Sequence, residues 1–151
     1  MDALTAKGIE LAQVTLHVGP GTFRSVKSDR IEEHQMLAEQ VEVSPGTVEQ
    51  IKLVQKRGNR VLAVGTTVVR ALETAGRGGR GIEPFKGPAE LFITPGFEFQ
   101  VIDALVTNFH LPRTTLLMLV SAFVGLEPLR AAYQEAVANR YRFYSYGDAM
   151  L

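Results

Sequence analysis

The chain has 151 residues with 16 Lys+Arg against 16 Asp+Glu, so its formal charge is zero and no overall basic field points to a nucleic-acid partner. At 46% apolar and 21% charged it has a globular composition, sized for one domain or a piece of a larger one. It contains no cysteine, which excludes a disulfide framework, a thiolate metal site and a cysteine nucleophile. The longest apolar run, Leu116 to Val124 broken only by Ser121, falls far short of the roughly 20 residues that a membrane span needs. Met1-Asp2-Ala3-Leu4 lacks the basic and apolar regions of a signal peptide. These features predict a soluble, cytoplasmic chain that does not engage a membrane.

In chain order, Asp2 to Lys7 reads as the last turns of a helix and Ile9 to Val18 as a strand ended by Gly19-Pro20-Gly21. Glu39 to Val43 alternates polar and apolar, as a half-buried strand does. Ser44-Pro45 has the form of an N-cap followed by proline at the first helical position, and Gly58 supplies the stop. Val48, Ile51 and Val54 recur on one face of that helix. Arg60 to Gly65 is a short strand, followed by a helical pattern from Thr66 to Ala75. Gly76-Arg77-Gly78-Gly79-Arg80-Gly81 cannot pack a core and predicts a flexible connector between two halves. Beyond it, Glu90 to Thr94 and Gln100 to Thr107 read as strands, and Asn108 to Pro112 as a loop. Thr114 caps a buried helix running to about Val124. Pro128 opens another helix, with Leu129, Tyr133, Ala136 and Val137 on one face. The predicted fold class is α/β: a mixed β-sheet flanked by helices. Because Leu151 stops inside an apolar segment, the chain is expected to be a fragment of a longer protein.

Three polar clusters fall at strand ends or turns, where α/β folds place their sites. His17-Val18-Gly19-Pro20-Gly21-Thr22-Phe23-Arg24 is either an anion cradle or a tight turn. Gly65-Thr66-Thr67, with Arg70 and Glu73 beyond, either offers a helix N-terminus to an anion or is a capped helix carrying a solvated ion pair. Asn108 and His110, with the closing run Tyr141 to Asp148, form either a site for a base or cation or an aromatic mini-core with a surface salt bridge. The three histidines, His17, His34 and His110, match no compact metal motif, so no metal is expected. No G-x-S-x-G elbow supports a serine hydrolase.

Four segments match one family as continuous words. They are His17-Val18-Gly19-x-Gly21-Thr22-Phe23, Gly65-Thr66-Thr67-x-Val69-Arg70-x-Leu72-Glu73, Asp103 to Pro112, and Tyr141-Arg142-Phe143-x-Ser145-Tyr146-Gly147-Asp148-Ala149-Met150. Together they resemble the S-adenosylmethionine:tRNA ribosyltransferase-isomerase family of queuosine biosynthesis. The resemblance runs from about Lys7 to Leu151 and covers the C-terminal portion of the family's α/β core domain, without its barrel-like inserted domain. This sequence departs from the family pattern at Leu37, often histidine there, and at Val68, Thr114 and Tyr144, where serine, serine and phenylalanine are usual.

The resemblance implies transfer and isomerisation of the ribosyl part of S-adenosylmethionine onto 7-aminomethyl-7-deazaguanine at the tRNA wobble position. That reaction gives epoxyqueuosine with release of adenine and methionine. S-adenosylmethionine is then a consumed co-substrate rather than a cofactor, and tRNA is the partner; the family is usually monomeric. Such chemistry needs a base beside the sulfonium-activated ribose carbon, a donor for the departing adenine and a neutral, well-placed amine. On this reading Gly65, Thr66, Thr67 and Arg70 meet the methionine or ribose end, and Glu73 and Asn108 are substrate-binding. Gly19, Gly21, Thr22 and Phe23 form a substrate-binding turn. His17 or His110 is the acid–base residue, Asp148 with Tyr146 faces the sulfonium or amine, and Arg24, Arg142, Arg77 and Arg80 meet tRNA phosphates. The alternative is a binding module that holds S-adenosylmethionine or tRNA without catalysis. A methyltransferase lacks support, because no glycine-rich strand-to-helix loop with an acidic ribose ligand is present.

Overall fold

A computed structural model describes residues 1–19, 31, 34 and 36–151. A one-turn helix α1 (Asp2–Thr5) leads to β1 (Thr15–His17), then β2 (Glu39–Val43) and α2 (Pro45–Lys56). Next come β3 (Leu62–Val64), α3 (Thr66–Gly76), β4 (Phe85–Ala89) and β5 (Ala104–Asn108). The chain finishes with α4 (Thr115–Val124), α5 (Leu126–Ala138) and β6 (Ala149–Met150).

The strands form two small sheets flanked by helices, in keeping with the α/β class expected. One is antiparallel in the order β1-β2-β4; the other, in the order β3-β5-β6, pairs β3 with β5 in parallel and β5 with β6 antiparallel. Helix α3 packs between them. Its Val69 and Leu72 join Val41 and Val43 of β2, Leu105 of β5 and Leu119 and Val120 of α4 in one buried core. Burying such side chains stabilises the fold by roughly 1.5–3 kcal/mol each, before conformational entropy is subtracted.

Local signals set several boundaries. The Ser44 hydroxyl accepts from the Thr47 N–H at 3.1 Å, and Pro45 occupies the first turn, where a missing N–H costs nothing. Thr114 caps α4 in the same way, accepting from Leu117 N–H at 3.2 Å. Helix α5 starts at Leu126, two residues before Pro128, because Gly125 (φ 88°) turns the chain sharply out of α4. No single helix among the described residues is long and apolar enough to cross a membrane, and α4 and α5 meet at a bend of 115°.

Elsewhere tertiary partners override the local pattern. Residues 9–14 leave the expected first strand: the Gln13 carbonyl accepts from the Thr47 hydroxyl at 2.7 Å rather than from a ladder. Glu90 to Thr94 is not a strand, although Leu91 and Ile93 are buried; β2 pairs instead with Phe85–Ala89 just upstream. The expected strand from Gln100 shortens to Ala104, because the amides of Gln100, Val101 and Ile102 bond to a side chain on α3. Val137 is 66% exposed and leaves the face assigned to α5. Gly76 is part of α3, not a connector: an added Cβ would stand 2.6 Å from Val101 Cγ2. Only the exposed turn at Arg77–Gly81 keeps the open character expected, and it joins parts of one core rather than two separate halves.

Candidate functional site

Parallel pairing of β3 with β5 brings the C-terminal ends of both strands to the same edge. The end of β3 passes through Gly65 into α3, and the end of β5 passes through Asn108 into His110. Gly65 N–H donates to the Val106 carbonyl at 2.8 Å, locking the turn against β5. Gly65 adopts φ 102°, which side-chain-bearing residues rarely tolerate, and serves as N-cap with no side-chain cap; Thr66 is the first helical residue. Helix geometry leaves the first amides of α3 without intrahelical partners and gives this end a partial positive charge.

The antiparallel pairing Thr107↔Met150 and Asn108↔Ala149 then folds the closing run back over the same edge. Asp148 closes that turn. Its carboxylate accepts from Arg142 N–H at 2.8 Å and pairs with the guanidinium at 3.2 Å, and the Asp148 N–H donates to the Arg142 carbonyl at 2.8 Å. The backbone N–H, the guanidinium hydrogen bond and the cationic charge hold this carboxyl below its usual range. Gly147 has no room for a side chain, since a Cβ would fall 2.4 Å from the Arg142 carbonyl oxygen. Tyr144 is forced to φ 68°, with its N–H donating to the Phe109 carbonyl at 3.0 Å. Left-handed backbone at a large residue costs energy and concentrates at functional sites.

Between these segments lies a cleft of about 200 Å³. Gly65, Thr66 and Thr67 line one side, Thr107, Asn108 and His110 another, and Val18, Leu116, Tyr144 and Ser145 complete it. Residues from all four sequence words thus meet in one place. The volume is below the roughly 300–1,000 Å³ of a complete small-molecule site, so the cleft has room for only part of a ligand of that size. A wider and shallower depression of about 680 Å³, between Leu11–Thr15 and the first turn of α2, involves none of the four words. Among the described residues no group of three or more His, Asp or Glu side chains is arranged to hold a metal ion.

His110 is the titratable centre of the cleft. Its Nε2 lies 3.0 Å from the Thr107 hydroxyl, and burial pushes its pKa down to about 4, so the ring is neutral at pH 7. A neutral imidazole accepts a proton or donates a hydrogen bond, as a base or a leaving-group donor must. The same shift makes stability depend on pH. The unfolded state, with a histidine pKa near 6.5, binds more protons than the folded state between pH 6.5 and 4. The folded state therefore loses about 3 kcal/mol relative to unfolded as pH falls through this window, and nothing from this group above it. A His110→Asn variant is expected to lose that component, which chemical denaturation at pH 7 and pH 4.5 measures against the parent chain.

Other expected site residues lie elsewhere. His17 is exposed on β1 and does not line the cleft, although Val18 beside it does and Gly19 is half-buried. Gly21, Thr22, Phe23 and Arg24 fall outside the described residues. Arg70 and Glu73 are 3% and 0% exposed and lie within the core rather than in the cleft. The Arg70 guanidinium bonds to Glu39 at 3.1 Å and to the carbonyls of Ala89 and Leu37 at 3.0 and 3.4 Å. Burial lowers its pKa while Glu39 raises it. The Glu73 carboxylate accepts from the amides of Gln100, Val101 and Ile102 at 2.8–3.1 Å. Neither is the solvated pair that i,i+3 spacing suggests, and neither offers its polar atoms to a cleft ligand.

Asp148 and Arg142 satisfy each other beside the cleft, Asn108 Nδ2 donates to the Asp148 carbonyl at 3.3 Å, and Tyr146 is 95% exposed. Arg77 and Arg80 are exposed beyond the far end of α3, about 15 Å along its axis from the cleft. The aromatic mini-core is real: Phe109 packs on Tyr133, Tyr141 and Phe143 with ring centroids 5.4–5.8 Å apart. Sequence reasoning left out Val18, Thr107, Leu116, Tyr144 and Ser145. All but Leu116 stand inside the quoted words, but only the fold shows that they converge.

The family model for queuosine biosynthesis protein matches residues 1–151. The chain belongs to this family. It is 59% identical over 151 residues to the S-adenosylmethionine:tRNA ribosyltransferase-isomerase of Acidithiobacillus ferrooxidans, covering 100% of this chain and 44% of that protein. The correspondingly named protein of Methylorubrum populi is 56% identical, over 100% of this chain and 41% of the relative. Among solved structures, the S-adenosylmethionine tRNA ribosyltransferase of Thermotoga maritima superposes with a TM-score of 0.81 at 49% identity, over 99% of this chain and 47% of that one. The α/β architecture is therefore that of part of a larger family member, and the chain spans less than half the length of these relatives.

Proposed function

We propose that this chain contributes the ribosyl-transfer cleft of an S-adenosylmethionine:tRNA ribosyltransferase-isomerase. In that reaction the ribosyl group of S-adenosylmethionine passes to 7-aminomethyl-7-deazaguanine in the tRNA anticodon, adenine and methionine leave, and the transferred group rearranges to the epoxycyclopentanediol of epoxyqueuosine. The observation that carries the reading is the meeting of the four family words around one neutral, half-buried imidazole, His110. The enzyme names of relatives at 54–59% identity support it.

The N-terminus of α3, with Thr66 and Thr67, suits the methionine carboxylate. His110, oriented by Thr107, serves as the acid–base residue. The half-exposed ring of Tyr144 offers an aromatic face to the sulfonium or the adenine. Arg142 reaches tRNA phosphate only by sharing or giving up Asp148, and exposed Arg77 and Arg80 extend the basic contact toward the far end of α3. The consumed co-substrate leaves no resident cofactor to bind.

Product analysis tests this directly. With S-adenosylmethionine and tRNA bearing 7-aminomethyl-7-deazaguanine, the enzyme containing this chain is expected to release adenine and methionine. Release of S-adenosylhomocysteine instead would mark methyl transfer and overturn the reading.

A further inference from the structure

We infer that Tyr133 is a positioning residue for His110. Its hydroxyl accepts from the His110 N–H at 2.7 Å and donates to the His110 carbonyl at 3.0 Å, so one phenol satisfies both backbone polar groups of the residue at the centre of the cleft. The catalytic meaning of this clamp rests on the role proposed for His110; the clamp itself is geometric.

Tyr133 lies on α5, 23 residues from His110 along the chain, and no local hydrogen-bond pattern supplies such a pair. Its ring is held edge-on by Phe109 at 5.4 Å and Phe143 at 5.7 Å, which fixes where the hydroxyl points. Phe143 also precedes Tyr144, so the packing that aims the phenol supports the strained residue at the cleft as well. The result is a loop residue pinned at its backbone by α5 and at its ring by Thr107 of β5. Loops without such pins relax toward solvent. For a proton-transferring group, displacement of about 1 Å costs up to roughly a hundredfold in rate.

The groups that face His110 make its titration a clean reporter. Thr66, Thr67, Asn108, Leu116 and Ser145 carry no charge. Burial raises the Tyr133 phenol above its ordinary value. Asp148 and Arg142, reached through Asn108, are paired with each other, and Arg113 in the following loop is exposed. Desolvation is the cause that holds His110 down, so any loosening that admits water must raise its midpoint.

The test is an NMR titration of the His110 ring in this chain. In Tyr133→Phe, which keeps the ring but removes the hydroxyl, the His110 midpoint is expected to rise from about 4 toward 6.5, by about one pH unit or more. Tyr141→Leu, which removes a ring packed on Phe109 while leaving the Tyr133 hydroxyl and the Phe143 ring beside it, is expected to leave it in place. An unchanged midpoint in Tyr133→Phe, or an equal rise in Tyr141→Leu, would overturn the assignment. Should either variant fail to fold, amide exchange in the unaltered chain decides: the His110 N–H is expected to be protected, and free exchange refutes the clamp. None of these readouts depends on adenine release, so the positioning role and the proposed reaction stand or fall separately.

Discussion

Replacing Glu73 with alanine is expected to destabilise the chain by about 3–5 kcal/mol. The carboxylate is fully buried and is the acceptor for three successive backbone N–H groups, at Gln100, Val101 and Ile102. Alanine leaves those amides buried without partners and opens a cavity between α3 and the chain entering β5. Against a typical domain stability of about 5–15 kcal/mol, such a loss leaves little margin. Glu73→Gln is expected to recover part of it. Its amide oxygen can still receive the two bonds made by Val101 and Ile102, while its NH₂ meets the N–H of Gln100 and cannot accept from it. Urea denaturation followed by circular dichroism measures both variants. A ligand role for Glu73 requires the opposite pattern, with stability preserved and S-adenosylmethionine binding lost.

Arg70→Ala is expected to cost a further amount of the same order, about 3–5 kcal/mol, because it strands the Glu39 carboxylate in the core. The guanidinium also ties Leu37 and Ala89 to α3, so the antiparallel sheet loses its polar link to the helix. Much of the penalty belongs to the charge left behind rather than to the pair itself. The double variant Arg70→Met, Glu39→Leu should therefore be more stable than Arg70→Ala, although the two carbonyls lose their donor. A thermal-melt double-mutant cycle measures the coupling. Additive losses would mean that the pair is not a coupled unit. Direct contact with the methionine carboxylate would instead show as a loss of S-adenosylmethionine affinity with little change in stability.

The two residues share a lesson about reading spacing. Arg70 and Glu73 sit three apart on one helix, and local rules pair them with each other in solvent. The fold separates them: each serves a different layer, Arg70 the β1-β2-β4 sheet and Glu73 the turn into β5. Their position beside Thr66 and Thr67 in one continuous word drew them into the candidate site, yet only the start of that word reaches the cleft. A helix turns its successive residues to all sides, so one family word carries both ligand-facing and core-facing positions.

What the sequence by itself determined is whatever depends on contacts a few residues long. Ser44-Pro45 and Thr114 place helix starts, because a cap needs only its own side chain and an amide three residues on. Glu39 to Val43 emerges as a strand with the expected boundaries, since alternation is intrinsic to a half-buried strand. The family words, too, are legible without coordinates. Only the tertiary structure decided the rest. It ended the strand reading of Glu90 to Thr94, whose alternation records burial while the ladder partner of β2 lies at Phe85–Ala89. It pushed His110 to a neutral state, because desolvation comes from residues distant in sequence. It also brought Gly65, Asn108, His110 and Tyr144 to one cleft, because parallel pairing of β3 with β5 and the return of β6 align three chain ends on one edge. Strand pairing and burial are non-local, and neither is written in any one segment.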